Sequence, residues 1–189
     1  MNSKNSSSRE GLQWVKVRRF LALPFCPGRL KTYQRVRRFE DISPERLWND
    51  GIRGLLIDAD GTLGPHHATS FPEPVIQHIE KMVERGFKLA VYTNASENRF
   101  GQIQEVPVVT HVPPKPDPAG FEIAMRDYLK LKDPQVVCMV GDNYITDGGA
   151  VDAGMRFLHV HPLPGPENPF HKLTRWLADR FARWHAVEG

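Results

Sequence analysis

The sequence predicts an α/β protein, a parallel sheet of about five strands flanked by helices. Three observations lead there. Short apolar runs without polar alternation recur along the chain, the pattern of strands buried on both faces. Segments with apolar residues at helical spacing separate them. Polar residues, aspartates above all, gather directly after the runs, where the C-terminal ends of parallel strands share a crevice.

Residues 1–9, with Ser3, Ser6, Ser7 and Ser8, hold too little apolar surface to bury and are expected to be disordered. From Leu12 to Leu23, Trp14, Val15, Val17, Phe20 and Leu21 fall among Lys16, Arg18 and Arg19, predicting a short amphipathic helix that ends before Pro24. Ser43 followed by Pro44 and Glu45 marks a helix start, and Gly51 its end. Residues 53–57 are the first buried strand. A helix over 74–85 follows, with Val75, Ile76, Ile79, Met82 and Val83 on one stripe and Gly86 as its stop. Strands are predicted at 88–92, 106–112, 136–140 and 157–160, and helices at 118–131, 147–153 and 170–184. The last helix places Leu173, Trp176, Leu177, Phe181 and Trp184 on one face and Lys172, Arg175, Arg180 and Arg183 on the other. Pro162, Pro164, Pro166 and Pro169 stiffen the connector before it.

A chain of 189 residues with 40% apolar content can bury its own core, and two cysteines, Cys26 and Cys138, form neither a disulfide framework nor a zinc site. No run of about 18 apolar residues is present, which excludes a membrane-spanning helix from the reading. The near-neutral total conceals an asymmetry. Residues 1–39 carry ten Lys and Arg against Glu10 alone, a net +9, and the remainder is net −6. A basic arm on an acidic body points to an anionic partner, a membrane surface or a nucleic acid.

The chemistry-bearing residues follow the strands in order. Asp58, Asp60 and Thr62 come after the first, Thr93 and Asn94 after the second, Lys115 beyond the third, and Asp142, Asn143 and Asp147 after the fourth. Carboxylates gathered in one crevice repel one another, and a divalent cation relieves that repulsion. Hard oxygen ligands favour Mg²⁺.

The segments Asp58-Ala59-Asp60-Gly61-Thr62-Leu63, Thr93-Asn94, Lys115-Pro116 and Gly141-Asp142-Asn143-Tyr144-Ile145-Thr146-Asp147 resemble, in order and spacing, the four motifs of the haloacid dehalogenase (HAD) superfamily of phosphatases. The resemblance spans roughly residues 42–165. The phrase Asp41-Ile42-Ser43-Pro44-Glu45-Arg46-Leu47, Gly51-Ile52 before the first strand, and the Thr146-Asp147 ending resemble subfamily IIIA, the YqeG-like branch that includes phosphatidylglycerophosphate phosphatases. The resemblance implies a HAD-type Rossmann-like fold, with Asp58 as nucleophile, Asp60 as general acid and base, and Lys115 as neutralising cation. Thr62, Thr93 and the backbone of Asn94 are implied as substrate-binding. Mg²⁺ ligands would be Asp58, the carbonyl of Asp60 and Asp142, with Asp147 as a direct or indirect partner. Asn143 would either join them or only orient Asp142.

HAD enzymes for small metabolites often carry an inserted cap domain. Here residues 64–73 and 95–114 are too short to fold as one, so a capless, open site is expected, suited to a phosphate on something large. The expected divisions are a basic N-terminal arm at 1–39, partly disordered or amphipathic, a hydrolase core at 40–165, and a C-terminal amphipathic helix at 166–189 on the core or at a membrane. The arm is expected to be dispensable for chemistry, since every motif residue lies between Asp58 and Asp147. The leading expectation is a Mg²⁺-dependent phosphomonoesterase acting on phosphatidylglycerophosphate. It would be cytoplasmic, peripheral on the inner face of an anionic membrane, or in an organelle matrix, and nucleic acid is not the expected partner. Alternatives are a soluble nucleotide, sugar or phosphoprotein phosphatase, and an RNA- or ribosome-associated binding protein on the same scaffold. His66 and His67 lie near the nucleophile loop, where a substrate contact stands against simple solvation; His159 and His161 read as structural. Oligomeric state is left open.

Overall fold

One sheet organises the molecule, in a computed structural model that describes residues 14–66, 68, 70–94, 101–103, 105–165 and 169–185. Its strands are β1 (Gln34–Val36), β2 (Gly54–Ile57), β3 (Lys88–Val91), β4 (Val137–Gly141) and β5 (Arg156–Val160), in the order β1-β5-β4-β2-β3. Every pairing is parallel. The fold is α/β and Rossmann-like. The expectations for residues 1–9, Leu12 and His67 lie outside the described residues.

Side-chain alternation along the strands feeds two cores. Leu55, Ile57, Val91, Cys138, Val140 and Leu158 face one, which is closed by α2 (Pro44–Asn49) and α3 (Glu73–Glu84). Leu56, Ala90, Val137, Met139 and Phe157 face the other, under α4 (Pro118–Ile123), α5 (Gly149–Asp152) and α6 (Pro169–His185). Each fully buried aliphatic side chain contributes about 1.5–3 kcal/mol, and no polar face is left on β2 or β4. Ser43 caps α2, its hydroxyl accepting from the Arg46 N–H, and Gly51 closes the turn at φ +86°.

Four sequence expectations need correction. Residues 106–112 do not form a strand; Val108 makes only an isolated bridge to Val91, flanked by Pro107, which has no N–H to extend a ladder. The fifth strand is β1, whose Gln34-Arg35-Val36 is half-buried at the sheet edge and too polar for a core pattern. The stripe of α3 buries His78 with Val75, Ile79 and Met82, leaving Val83 exposed; the His78 ring meets Phe39 edge-on at 5.3 Å. The helix expected over 118–131 is α-helical only to Ile123, then takes a π-helical turn over Ala124–Tyr128.

The basic segment is part of the body from Trp14 onward. α1 (Trp14–Ala22) buries Arg19, and Leu23 and Leu30 behind it join the second core. The Arg19 guanidinium pairs with Asp152 and donates to the carbonyls of Gly148 at 2.6 Å, Tyr144 at 3.4 Å and Arg29 at 3.3 Å. Gly148 and Tyr144 belong to the loop after β4, so α1 clamps a site loop. β1 also lies before residue 40, so this segment supplies an edge strand as well as a helix.

Candidate active site

β2 and β4 are neighbours at the centre of the sheet, with Ile57 opposite Val140. Their ends bring together residues far apart in sequence: the Asp58 N–H donates to the Val140 carbonyl at 2.9 Å, and Asp142 follows two residues later. Ligand oxygens of Asp58, Asp142 and Asp147 all lie within 4.8 Å of one another, and all three residues are buried. Two glycines permit this crowding. A Cβ on Gly61, at φ +80°, would stand 2.6 Å from Asp142 Oδ2, and one on Gly141 would stand 2.3 Å from Asp147 Oδ2.

Lys115, 1% exposed, is the cation of the cluster. Its Nζ donates to Asp147 Oδ1 at 2.6 Å and to Asp58 Oδ1 at 2.9 Å. Both carboxylates hold the ammonium charged, outweighing desolvation and raising its pKa above the usual lysine range. Asp58 is pushed up to about 7, first by burial and then by Asp147 and Asp60, against the pull of Lys115. Asp142 is raised well above its ordinary range, again by burial first and by Asp147 and Asp58, with Arg175 opposing. Buried carboxylates that hold protons above their ordinary range for want of positive charge form a donor set suited to a divalent cation.

Asp147 is 0% exposed and already engaged through both oxygens: Oδ1 takes Lys115, and Oδ2 accepts the Asn143 N–H at 3.0 Å. Both of its oxygens are thereby held in place beside Lys115. Asn143 turns its own side chain to the Ile145 N–H at 2.9 Å, closing the loop rather than joining the carboxylates. Asp60 sits two residues beyond Asp58 and is half-buried, whereas Asp58 is 8% exposed. Thr93, 5% exposed, follows β3 beside β2. Asn94 supports the site through its side chain, which accepts from the Lys115 N–H at 3.1 Å and donates to the Lys115 carbonyl at 3.2 Å. Thr62 is buried at 1% exposure within the loop after Asp58, with no hydrogen-bond partner for its hydroxyl oxygen among the described residues. His66 is half-buried on the next turn.

Two residues outside the motifs complete the setting. Arg175 of α6 places Nη1 2.5 Å from Asp142 Oδ2. His159 on β5 donates from Nε2 to the Asp142 carbonyl at 3.2 Å and stacks on Tyr144 at 4.8 Å; burial holds it neutral, with its pKa lowered to about 4. A sequence signal for Arg175 existed only as one basic residue among several on an amphipathic helix.

No family model matches the chain. A curated relative, the "Probable phosphatase YqeG" of Bacillus subtilis (strain 168), is 29% identical over 149 residues, covering 77% of this chain and 85% of that protein. A solved structure of an uncharacterized protein from Listeria monocytogenes serotype 4b aligns with a TM-score of 0.46 and 20% identity, over 64% of this chain and 81% of that one. Asp58 and Asp147 of the motifs converge on one buried lysine, and over most of both chains the protein is similar to a YqeG relative named as a probable phosphatase.

Proposed function

We propose that the protein is a Mg²⁺-dependent phosphomonoesterase that works through an aspartyl-phosphate on Asp58, with phosphatidylglycerophosphate as its substrate. The observation that carries the catalytic reading is the buried trio Asp58, Asp142 and Asp147 around Lys115. Asp58, Asp142 and the Asp60 carbonyl would hold the cation, with Asp147 beside them, and the cation would neutralise charge on the phosphoryl oxygens. Asp58 Oδ attacks phosphorus as the bond to the leaving oxygen breaks, and Asp60 gives that oxygen its proton. Asp60, now a carboxylate, takes a proton from water as the water attacks the aspartyl-phosphate, releasing inorganic phosphate and restoring both residues. Lys115 keeps Asp58 ionised and aimed, and Thr93 and the Asn94 N–H receive the phosphoryl oxygens.

Two features support a lipid-borne substrate. Among the described residues of 64–73 and 95–114, the one helical turn lying wholly within these segments is Gly101–Ile103, and their shortness supports an open crevice. Among the described residues, nearly all the exposed large apolar ones lie on two adjoining elements: Trp14, Val15, Leu21 and Phe25 on α1 and its following turn, and Phe170, Leu173, Trp176 and Trp184 on α6. α6 packs on the turns after α1, and Arg18, Lys172 and Arg180 lie among these side chains, a composition suited to an anionic interface. No helix among the described residues is long and apolar enough to cross a membrane. A phosphate-release screen over phospholipid micelles and soluble monoesters, with and without Mg²⁺, tests the reading. Mg²⁺-dependent release is expected with preference for the lipid monoester; preference for a soluble ester would replace the substrate, and no release from any would reject the activity.

A further inference from the structure

Arg175 stands outside every motif, yet α6 delivers it to the cluster. The helix seats Ala178 and Ala182 against the core at 0% and 1% exposure, and Arg175 shares that inward face by helical spacing. Its Nη1 lies 2.5 Å from Asp142 Oδ2, the oxygen that faces the Gly61 turn of the nucleophile loop. The guanidinium is on the solvent side of the pair, its side chain 12% exposed against 4% for Asp142.

With all three carboxylates ionised, Lys115 leaves two negative charges uncompensated, and Arg175 reduces that to one. The oxygen that Arg175 occupies belongs to a carboxylate a divalent cation would use, and like charges at contact distance repel strongly in a water-poor crevice. A forked guanidinium also matches phosphoryl oxygens better than any other side chain. We propose that Arg175 is an exchangeable counter-ion, holding Asp142 while the cation site is empty and turning to the substrate phosphoryl group once a cation is bound. The proposal rests on the phosphomonoesterase reading above. It makes α6 a contributor to substrate binding and not only a cover for the sheet.

The test uses the full chain, with Mn²⁺ binding followed by the resonance of the free ion and inorganic phosphate as a competitive inhibitor. Arg175→Gln is expected to bind Mn²⁺ at least about fivefold more tightly, because a like charge beside the ion is gone. The same variant should lose at least about tenfold in phosphate affinity and show a raised KM for a monoester with a smaller change in kcat. A structural role alone would weaken both affinities, so opposite signs are the signature. Arg175→Lys keeps the charge without the fork; it should leave Mn²⁺ affinity near wild type and lose phosphate affinity, and it carries the test if the glutamine variant melts without cooperativity. Unchanged or weaker Mn²⁺ binding in Arg175→Gln, unchanged phosphate affinity in either variant, or tighter Mn²⁺ binding in Arg175→Lys would overturn the proposal. Wild-type protein that neither bound Mn²⁺ nor released phosphate would overturn the underlying phosphomonoesterase reading instead.

Discussion

Removing the cation at the centre of the cluster is the perturbation whose size follows most directly from the geometry. Lys115→Met keeps the buried stem of the side chain but deprives Asp58 and Asp147 of a donor at 2.9 and 2.6 Å. Breaking one side of a buried ion pair costs about 3–5 kcal/mol, because the remaining charge is left uncompensated. Part of that cost is escaped by protonation, since Asp58 already has its pKa raised to about 7 and loses the lysine that opposes the rise. A carboxylate whose folded pKa is raised binds its proton more tightly in the folded state, so its charge penalises folding above that pKa and the penalty fades as pH falls. Near about pH 8 without divalent cation, the variant should unfold about 6–20 °C below wild type, from about 2–4 °C per kcal/mol for a chain of this size. Near about pH 5.5 the gap should narrow, and millimolar Mg²⁺ at the higher pH should raise the variant's melting temperature more than the wild type's. Thermal unfolding followed by circular dichroism reads all three. A deficit under about 1 kcal/mol at the higher pH, or one that does not change with pH, would refute the placement of Lys115 as the compensating charge.

Other expectations follow from single contacts. Asp60→Asn should slow esters of poorly leaving alkoxides far more than activated aryl phosphates, and equal losses on both would remove Asp60 from the acid role. His159 is held neutral with its pKa lowered to about 4, so its contribution to stability is complete above about 6.5 and is lost as pH falls toward 4. His159→Gln should flatten that part of the stability profile, worth at most about 3 kcal/mol, and an unchanged acid slope would contradict the assignment. Replacing exposed Trp14, Leu21, Phe25 and Trp176 by serine should abolish salt-sensitive sedimentation with anionic vesicles without lowering the melting temperature; retained sedimentation would discard this face as the membrane contact.

The buried cluster was legible because Asp58 follows β2 and Asp142 and Asp147 follow β4, and a parallel sheet brings strand ends together whatever their sequence separation; Lys115 joins them from beyond a segment that makes only one bridge. β2 and β4 were legible as uniformly apolar runs for the same reason that they are central: both faces are buried. What sequence reading missed lies at edges and on long side chains. β1 is polar because an edge strand is half-wet, and 106–112 is apolar with a single bridge because Pro107 interrupts the ladder. Arg19 and Arg175 read as solvated charges on amphipathic helices, yet both point inward. One binds the carbonyls of the loop after β4, and the other binds Asp142. A pattern of charge along a helix does not reveal which basic residue finds a buried acceptor; that depends on where the helix docks.

If Asp58 is the nucleophile of a cation-dependent phosphomonoester hydrolysis, turnover needs both its carboxylate and the cation. Phosphate release by wild type and Asp58→Asn, each with Mg²⁺ and with a chelator, tests it most directly. The amide is nearly isosteric and relieves a buried charge, so the variant should fold at least as stably as wild type near about pH 8 without cation. Its turnover should fall by at least about 10³-fold, and chelation should silence the wild type. Near-full activity in a folded Asp58→Asn protein would contradict the account.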